Sequence, residues 1–182
     1  MKSSTLSNIE LSIESLVGEL AQLLQKHGCM LTTAESCTGG MIASACTDLA
    51  GSSLWFERGF VTYSNAAKTE MLGVAAGLIS QHGAVSQQVA SAMAQGSLKH
   101  SNAQVSVAVT GVAGPSGGSV EKPVGLVWFG FEVASPALRQ GKAWTERQQF
   151  DGDRNAVRQA TVRHALQTLI NALEKMPLHK KP

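Results

Sequence analysis

At 182 residues, with 43% hydrophobic and 15% charged residues and a formal net charge of +2, the chain can bury one substantial core but is too short for two ordinary domains. That balance excludes wholesale disorder and gives no electrostatic case for a nucleic-acid partner. Three cysteines without zinc-type spacing give neither a disulfide framework nor a metal site, and no apolar run approaches the roughly 18 residues of a membrane span, so a soluble, cytoplasmic protein with reduced thiols is expected.

Leu6, Ile9, Ile13, Leu16, Val17, Leu20, Leu23 and Leu24 recur at three- and four-residue intervals. They predict an amphipathic helix that ends near His27-Gly28 and turns its stripe to the core. Glu10, Glu14 and Glu19 within that stretch argue against a signal peptide. Met30 to Met41, MLTTAESCTGGM, reads as strand, turn and helix, the helix carried by Met41, Ile42, Ala45, Cys46 and Leu49. Ala50-Gly51-Ser52-Ser53 breaks the chain, and Gly59 to Ser64 reads as a second strand. Asn65 to Leu72 predicts a short helix with Asn65 as its cap and Lys68 about one turn in.

Ile79 to Ala84 is expected to be irregular, and Ser86 to cap a helix running to about His100. Val105 to Val109 is a short strand of the buried type that runs into a glycine-rich turn over 110–118. Val124 to Val133 and Trp144 to Phe150 have strand character, joined as a hairpin through Pro136 to Gly141. A last helix runs from about Asp153 to Leu173, its buried face formed by Val157, Ala160, Val162, Leu166, Leu169 and Ile170.

Strands separated by helices give an α/β fold, a three-layer α/β/α arrangement in which helices cover the sheet, and the late hairpin makes the sheet mixed. Residues 1–182 are read as a single domain, closed by a basic tail over 174–182 that serves as a solvated end. Ligands of such folds bind at the carboxyl ends of strands near a switch in strand order. The loops after Glu35, Ser64 and Val109 are the candidates.

A helix start leaves backbone N–H groups unpaired at the positive end of its dipole, and Gly39 and Gly40 let a ligand approach that backbone closely. The turn would then favour a phosphate, a carboxylate or the oxyanion of acyl transfer. Ser36 sits where a strand delivers a side chain to it; alternatively, Ser36 or Thr38 caps the helix and the glycines only turn the chain.

A serine nucleophile needs a base. The five histidines, His27, His82, His100, His164 and His179, fall in helix ends, helix bodies or the tail, and only His82, in the stretch QHG, stays open as a base, which disfavours a Ser-His-Asp triad. Lysine can replace histidine when burial or neighbouring positive charge lowers its pKa. Lys68 reaches Ser36 if the first two strands are neighbours, with Tyr63 beside both, and Thr110 and the N–H groups of the 110–118 loop would supply donors opposite the nucleophile. Cys37 starts a helix whose apolar face takes it inward and is read as a small core residue. Arg154, at a helix start beside glycine, either grips a phosphate bidentately or pairs with Asp151 or Asp153 on the surface.

The segments TTAESCTGG at 32–40, AGSSLWFERGFVTYSNAAK at 50–68, HGAVS at 82–86, VAVTGVAGPSGGSVEKPVGLVW at 107–128 and FDGDRNAVR at 150–158 together resemble the CinA C-terminal domain family. The resemblance covers about residues 12 to 173, in order and without a missing block. It implies hydrolysis of the carboxamide of nicotinamide mononucleotide, a pyridine mononucleotide, to nicotinic acid mononucleotide and ammonia in pyridine-nucleotide salvage, with no metal and no organic cofactor. It implies a serine and a lysine in catalysis, matched by Ser36 and Lys68, with the motif tyrosine and threonine at Tyr63 and Thr110. Thr38, Gly39, Gly40, Asn65, Gly111, Gly114, Gly117, Gly118 and Arg154 fall on motif positions and are expected to contact the oxyanion and the phosphate. Two other readings stay open: a module that binds a nucleotide or a protein without turning it over, and an amidase for another small amide. A homodimer is expected, with Leu54-Trp55-Phe56 as either core or interface.

Overall fold

The computed structural model describes residues 12–134 and 141–177. Helix α1 (Ile13–His27) starts at Ser12, whose hydroxyl accepts the Ser15 N–H, and ends at Gly28, whose left-handed backbone returns its N–H to the last turn. Leu6 and Ile9 of the predicted stripe lie outside the described residues. There follow β1 (Leu31–Glu35), α2 (Met41–Asp48), a single 3-10 turn (Ser52–Leu54), β2 (Phe56–Val61), α3 (Asn65–Leu72), α4 (Ala76–His82), α5 (Gln87–Lys99), β3 (Val105–Gly111), β4 (Leu126–Val133), β5 (Lys142–Gln149) and α6 (Arg154–Glu174).

The strands form one sheet in the order β2-β1-β3-β4-β5. β1 pairs in parallel with β2 and β3, and β4 runs antiparallel to both β3 and β5. The sheet is therefore mixed, and β1, β2, β3 and β5 all end at one edge. Alternation along β3 divides the core in two. Val105, Val107 and Val109 join Leu16, Leu20 and Leu24 of α1, Ile42 of α2 and Leu166 and Leu169 of α6. Ala108 of β3 and Ala34 of β1 join Leu72, Ile79, Val89 and Met93 of α3, α4 and α5 on the opposite face. Helices thus cover both faces in a three-layer α/β/α fold. The seam under α5 is tight: a Cβ added to Gly130 of β4 would lie 2.2 Å from the Ala90 carbonyl oxygen.

Three boundaries differ from the expectation. Ser64, not Asn65, caps α3; its backbone is still extended and its hydroxyl accepts the Ala67 N–H at 3.0 Å. Ile79 to Ala84 is mostly helical, because α4 is too short to show a period yet packs Ile79 into the core. β2 begins at Phe56, since parallel pairing to β1 starts there. Trp55 is buried in the core beside an exposed Leu54. The expected hairpin connection falls on 135–140, outside the described residues, while its strands pair from Val133 and Lys142 onward. Among the described residues no helix is long and apolar enough to cross a membrane.

Candidate active site

β1 delivers Ser36 to the sheet edge, and the Ser36 N–H donates to the Val109 carbonyl of β3 at 3.1 Å, which fastens the turn to its neighbouring strand. The preceding Glu35 folds its carboxylate beneath that turn. It accepts the hydroxyls of Thr33 (3.3 Å) and Thr38 (2.7 Å) and the N–H groups of Gly40 (3.0 Å), Ile42 (3.0 Å) and Ala43 (2.8 Å). The positive end of α2 is therefore filled by the protein's own carboxylate. The Gly39 N–H is also engaged, with the Ser36 carbonyl at 3.1 Å, and Thr38 is fully buried. The Thr38 hydroxyl and the Gly39 and Gly40 N–H groups, expected to meet a substrate anion or oxyanion, are thus engaged within the turn itself. Gly39 and Gly40 are needed for the turn itself, at φ 62° and 99°.

Glu35 was missed because it reads as the last residue of a strand. A signal existed: threonines at 33 and 38 flank an acidic residue five positions ahead of a glycine that opens a helix.

Because β1 and β2 are neighbours, Lys68 on the first turn of α3 reaches Ser36. Its Nζ donates to Ser36 Oγ at 3.1 Å, to the Thr62 carbonyl at 2.8 Å and to the Tyr63 carbonyl at 3.4 Å. Lys68 is 1% exposed, and burial pushes its pKa below the ordinary lysine value. As an ammonium it would fill all three acceptors. As a neutral amine it keeps two N–H groups on the carbonyls and aims its lone pair at the Ser36 hydroxyl.

These groups line a cavity of about 230 Å³, together with Tyr63, Asn65, Thr110, Gly111, Ala113 and Arg154. No histidine is among its lining residues. The Thr110 hydroxyl donates to the Ala84 carbonyl at 2.9 Å. Its proton thus bonds to the 84–85 wall of the cavity, which Thr110 lines together with Ser36. Cys37 also touches the cavity, but burial raises its thiol pKa to about 12, so it is not a thiolate near neutral pH.

Arg154 donates through Nη1 to the Gly114 carbonyl at 2.8 Å and through Nη2 to the Tyr63 hydroxyl at 3.2 Å. Neither Asp151 nor Asp153 pairs with it; Asp153 instead caps α6, accepting the Ala156 N–H at 2.8 Å. Gly114 lines the adjoining cavity of about 620 Å³. Gly117 and Gly118, also expected at the substrate, line neither cavity; Gly118 packs against Val124 in the body of the loop. Arg158, which the site prediction did not include, donates to the Thr38 carbonyl at 2.7 Å and lines the larger cavity with Arg154. The four-residue spacing of these arginines on one helix was the available signal.

Comparison with known proteins shows what the chain as a whole is similar to. The family model described as the CinA C-terminal domain matches residues 13–173. The nicotinamide-nucleotide amidohydrolase PncC of Enterobacter agglomerans is 52% identical over 166 residues, 91% of this chain and 98% of that protein. The protein of the same name from Escherichia coli (strain K12) is 54% identical over 83% of this chain and 88% of its own length. Among solved structures, the competence/damage inducible protein CihA from Agrobacterium tumefaciens superposes with a TM-score of 0.82 at 48% identity, covering 90% of this chain and 96% of its own. The chain belongs to the CinA C-terminal domain family.

Proposed function

We propose that the chain is a nicotinamide-nucleotide amidohydrolase, which converts nicotinamide mononucleotide and water to nicotinic acid mononucleotide and ammonia in pyridine-nucleotide salvage. The observation that carries the mechanism is the 3.1 Å contact between Ser36 Oγ and a buried Lys68 whose hydrogen-bond partners are all uncharged. The similarity to proteins named for this activity supports the substrate.

Neutral Lys68 takes the Ser36 proton as Oγ bonds to the amide carbon, and the carbonyl π electrons move onto its oxygen. Cys37, Gly111 and Ala113 line the pocket, and a backbone N–H donated from among them would stabilise that oxyanion. The Lys68 ammonium returns its proton to the amide nitrogen, the C–N bond breaks, and ammonia leaves an acyl-Ser36 ester. Water then gives a proton to the same amine as its oxygen attacks the ester carbon. The Lys68 ammonium passes that proton to Ser36 Oγ as the C–O bond breaks, and the acid product loses its own proton to solvent as the carboxylate. No step calls for a metal or an organic cofactor.

The test is ammonia release from nicotinamide mononucleotide in the presence of a chelator, with Ser36→Ala and Lys68→Ala alongside. Release by the wild type that both folded variants lose is expected. Release that survives in Ser36→Ala refutes the serine mechanism. No release by the wild type refutes the substrate and favours a binding module or a different amide.

A further inference from the structure

The Ser36 cavity, at about 230 Å³, is smaller than the roughly 300–1,000 Å³ that encloses a whole small-molecule ligand. It has room for the reacting end only. Arg154 lines both this cavity and the larger one of about 620 Å³ between the loop that carries Gly114, Pro115 and Val124 and the start of α6. Anything attached to the reacting amide and extending past Arg154 enters that second space.

Its lining is cationic. Arg154 and Arg158 stand one helical turn apart, and the one carboxylate among the lining residues, Asp153, is turned back to the Ala156 N–H of its own helix. Arg158 spends Nη2 on the Thr38 carbonyl, while its Nε–H is buried without a partner. A buried guanidinium donor without an acceptor is rare in folded proteins, and an anionic oxygen is what it best accepts as partner.

We infer that the second cavity is the subsite for the anionic tail of the substrate, a phosphate monoester on the reading above, and that Arg158 is its specificity-determining residue. On this view Arg154 divides the two spaces: it holds the Gly114 wall and the Tyr63 hydroxyl, and it borders the tail as well. The inference rests on the amidohydrolase reading for the identity of the tail, but not for the presence of an anion site.

The rival role for Arg158 is purely positional, holding the Thr38 carbonyl and with it the Ser36 turn. Kinetics and calorimetry separate the two. KM and kcat for nicotinamide mononucleotide are measured for wild type, Arg158→Met and Arg158→Lys, and binding of inorganic phosphate to the same three proteins is measured by titration calorimetry. Arg158→Met is expected to raise KM roughly ten- to a hundredfold, with a smaller effect on kcat, and to weaken phosphate binding in parallel. Arg158→Lys, which keeps the charge without the planar fork, should fall between. A fall in kcat at unchanged KM overturns the inference in favour of the positional role. Phosphate binding equal in all three proteins, including none in any, also overturns it. If the wild type releases no ammonia from the mononucleotide, the amidohydrolase reading falls, and the calorimetry alone decides the anion subsite.

Discussion

Replacing Glu35 with glutamine preserves the shape of the side chain and exchanges one oxygen for an NH2 group beneath the Ser36 turn. The carboxylate serves five donors, three of them backbone N–H groups at the start of α2. The least costly placement keeps the amide oxygen where Oε2 accepts Thr38, Gly40 and Ile42, and turns the NH2 toward the Ala43 N–H and the Thr33 hydroxyl. The hydroxyl can rotate and accept, but the Ala43 N–H cannot. One orphaned, partly buried donor costs about 1–3 kcal/mol, and losing a negative charge at a helix start adds about 0.3–1 kcal/mol. Glu35→Gln should therefore destabilise the fold by about 1–4 kcal/mol. Because Ser36 is the next residue, kcat should fall at least about tenfold, given that a displacement near 1 Å can cost about a hundredfold. Urea unfolding followed by circular dichroism, with equal slopes for both proteins, measures the first, and ammonia release the second. A loss below about 0.5 kcal/mol, at the level of an ordinary surface substitution, would refute the claim that this carboxylate holds the turn.

In the proposed mechanism Lys68 acts as a neutral amine, so kcat/KM should rise with pH through its folded pKa, which burial holds below the ordinary lysine value, and then level off. The same depressed pKa means the unfolded chain binds this proton more tightly, so stability from Lys68 should rise with pH across the window between its folded and ordinary values. Lys68→Arg, which cannot deprotonate, should show no activity at any pH, and measurable turnover would contradict the role. Cys37→Ala should retain most activity, and thiol-alkylating reagents near neutral pH should not inactivate the folded enzyme, since the Cys37 thiol titrates near 12. Rapid inactivation that the alanine variant escapes would argue for a reactive thiol. Gly130→Ala should lower the melting temperature, because the new methyl would meet the Ala90 carbonyl at 2.2 Å and overpacking typically costs about 1–3 kcal/mol. An unchanged melting temperature would show that α5 can slide on the sheet.

What the sequence made legible were features governed by local spacing. Apolar periodicity located α1 and α6, Ser86 announced α5 and Asp153 the start of α6, and the strand-to-glycine transitions after Glu35 and Val109 marked the edge that carries the Ser36 cavity. The pairing of Ser36 with Lys68 required only that consecutive strands lie side by side, which is the commonest arrangement. Missed features depended on where side chains turn. Whether the start of α2 receives a ligand or Glu35 is decided by the direction of one carboxylate at a strand end, and periodicity does not carry that direction. Thr110 likewise reads as a free hydroxyl until the Ala84 carbonyl is seen beside it. Arg158 looks like an ordinary helix arginine until the fold sets it against the Thr38 carbonyl, more than a hundred residues away in the chain. α4 escaped notice because seven residues cannot display a helical repeat, and packing on α5 stabilises it instead.

The way Lys68 is held also bears on what happens after turnover. Two main-chain carbonyls and one hydroxyl surround its amine, and all three are dipoles rather than charges. In the proposed reaction the oxyanion is transient, and the first lasting negative charge to arrive near that nitrogen is the carboxylate the enzyme has just made. An anion at hydrogen-bond distance favours the ammonium, so the product would draw a proton onto Lys68 and form with it the ion pair that the resting protein lacks. Acidity would then tighten the grip on product while it disarms the base, and the cell's proton concentration would govern how quickly the site is cleared for the next substrate. Inhibition by nicotinic acid mononucleotide that is independent of pH would show that the product leaves without recruiting this lysine.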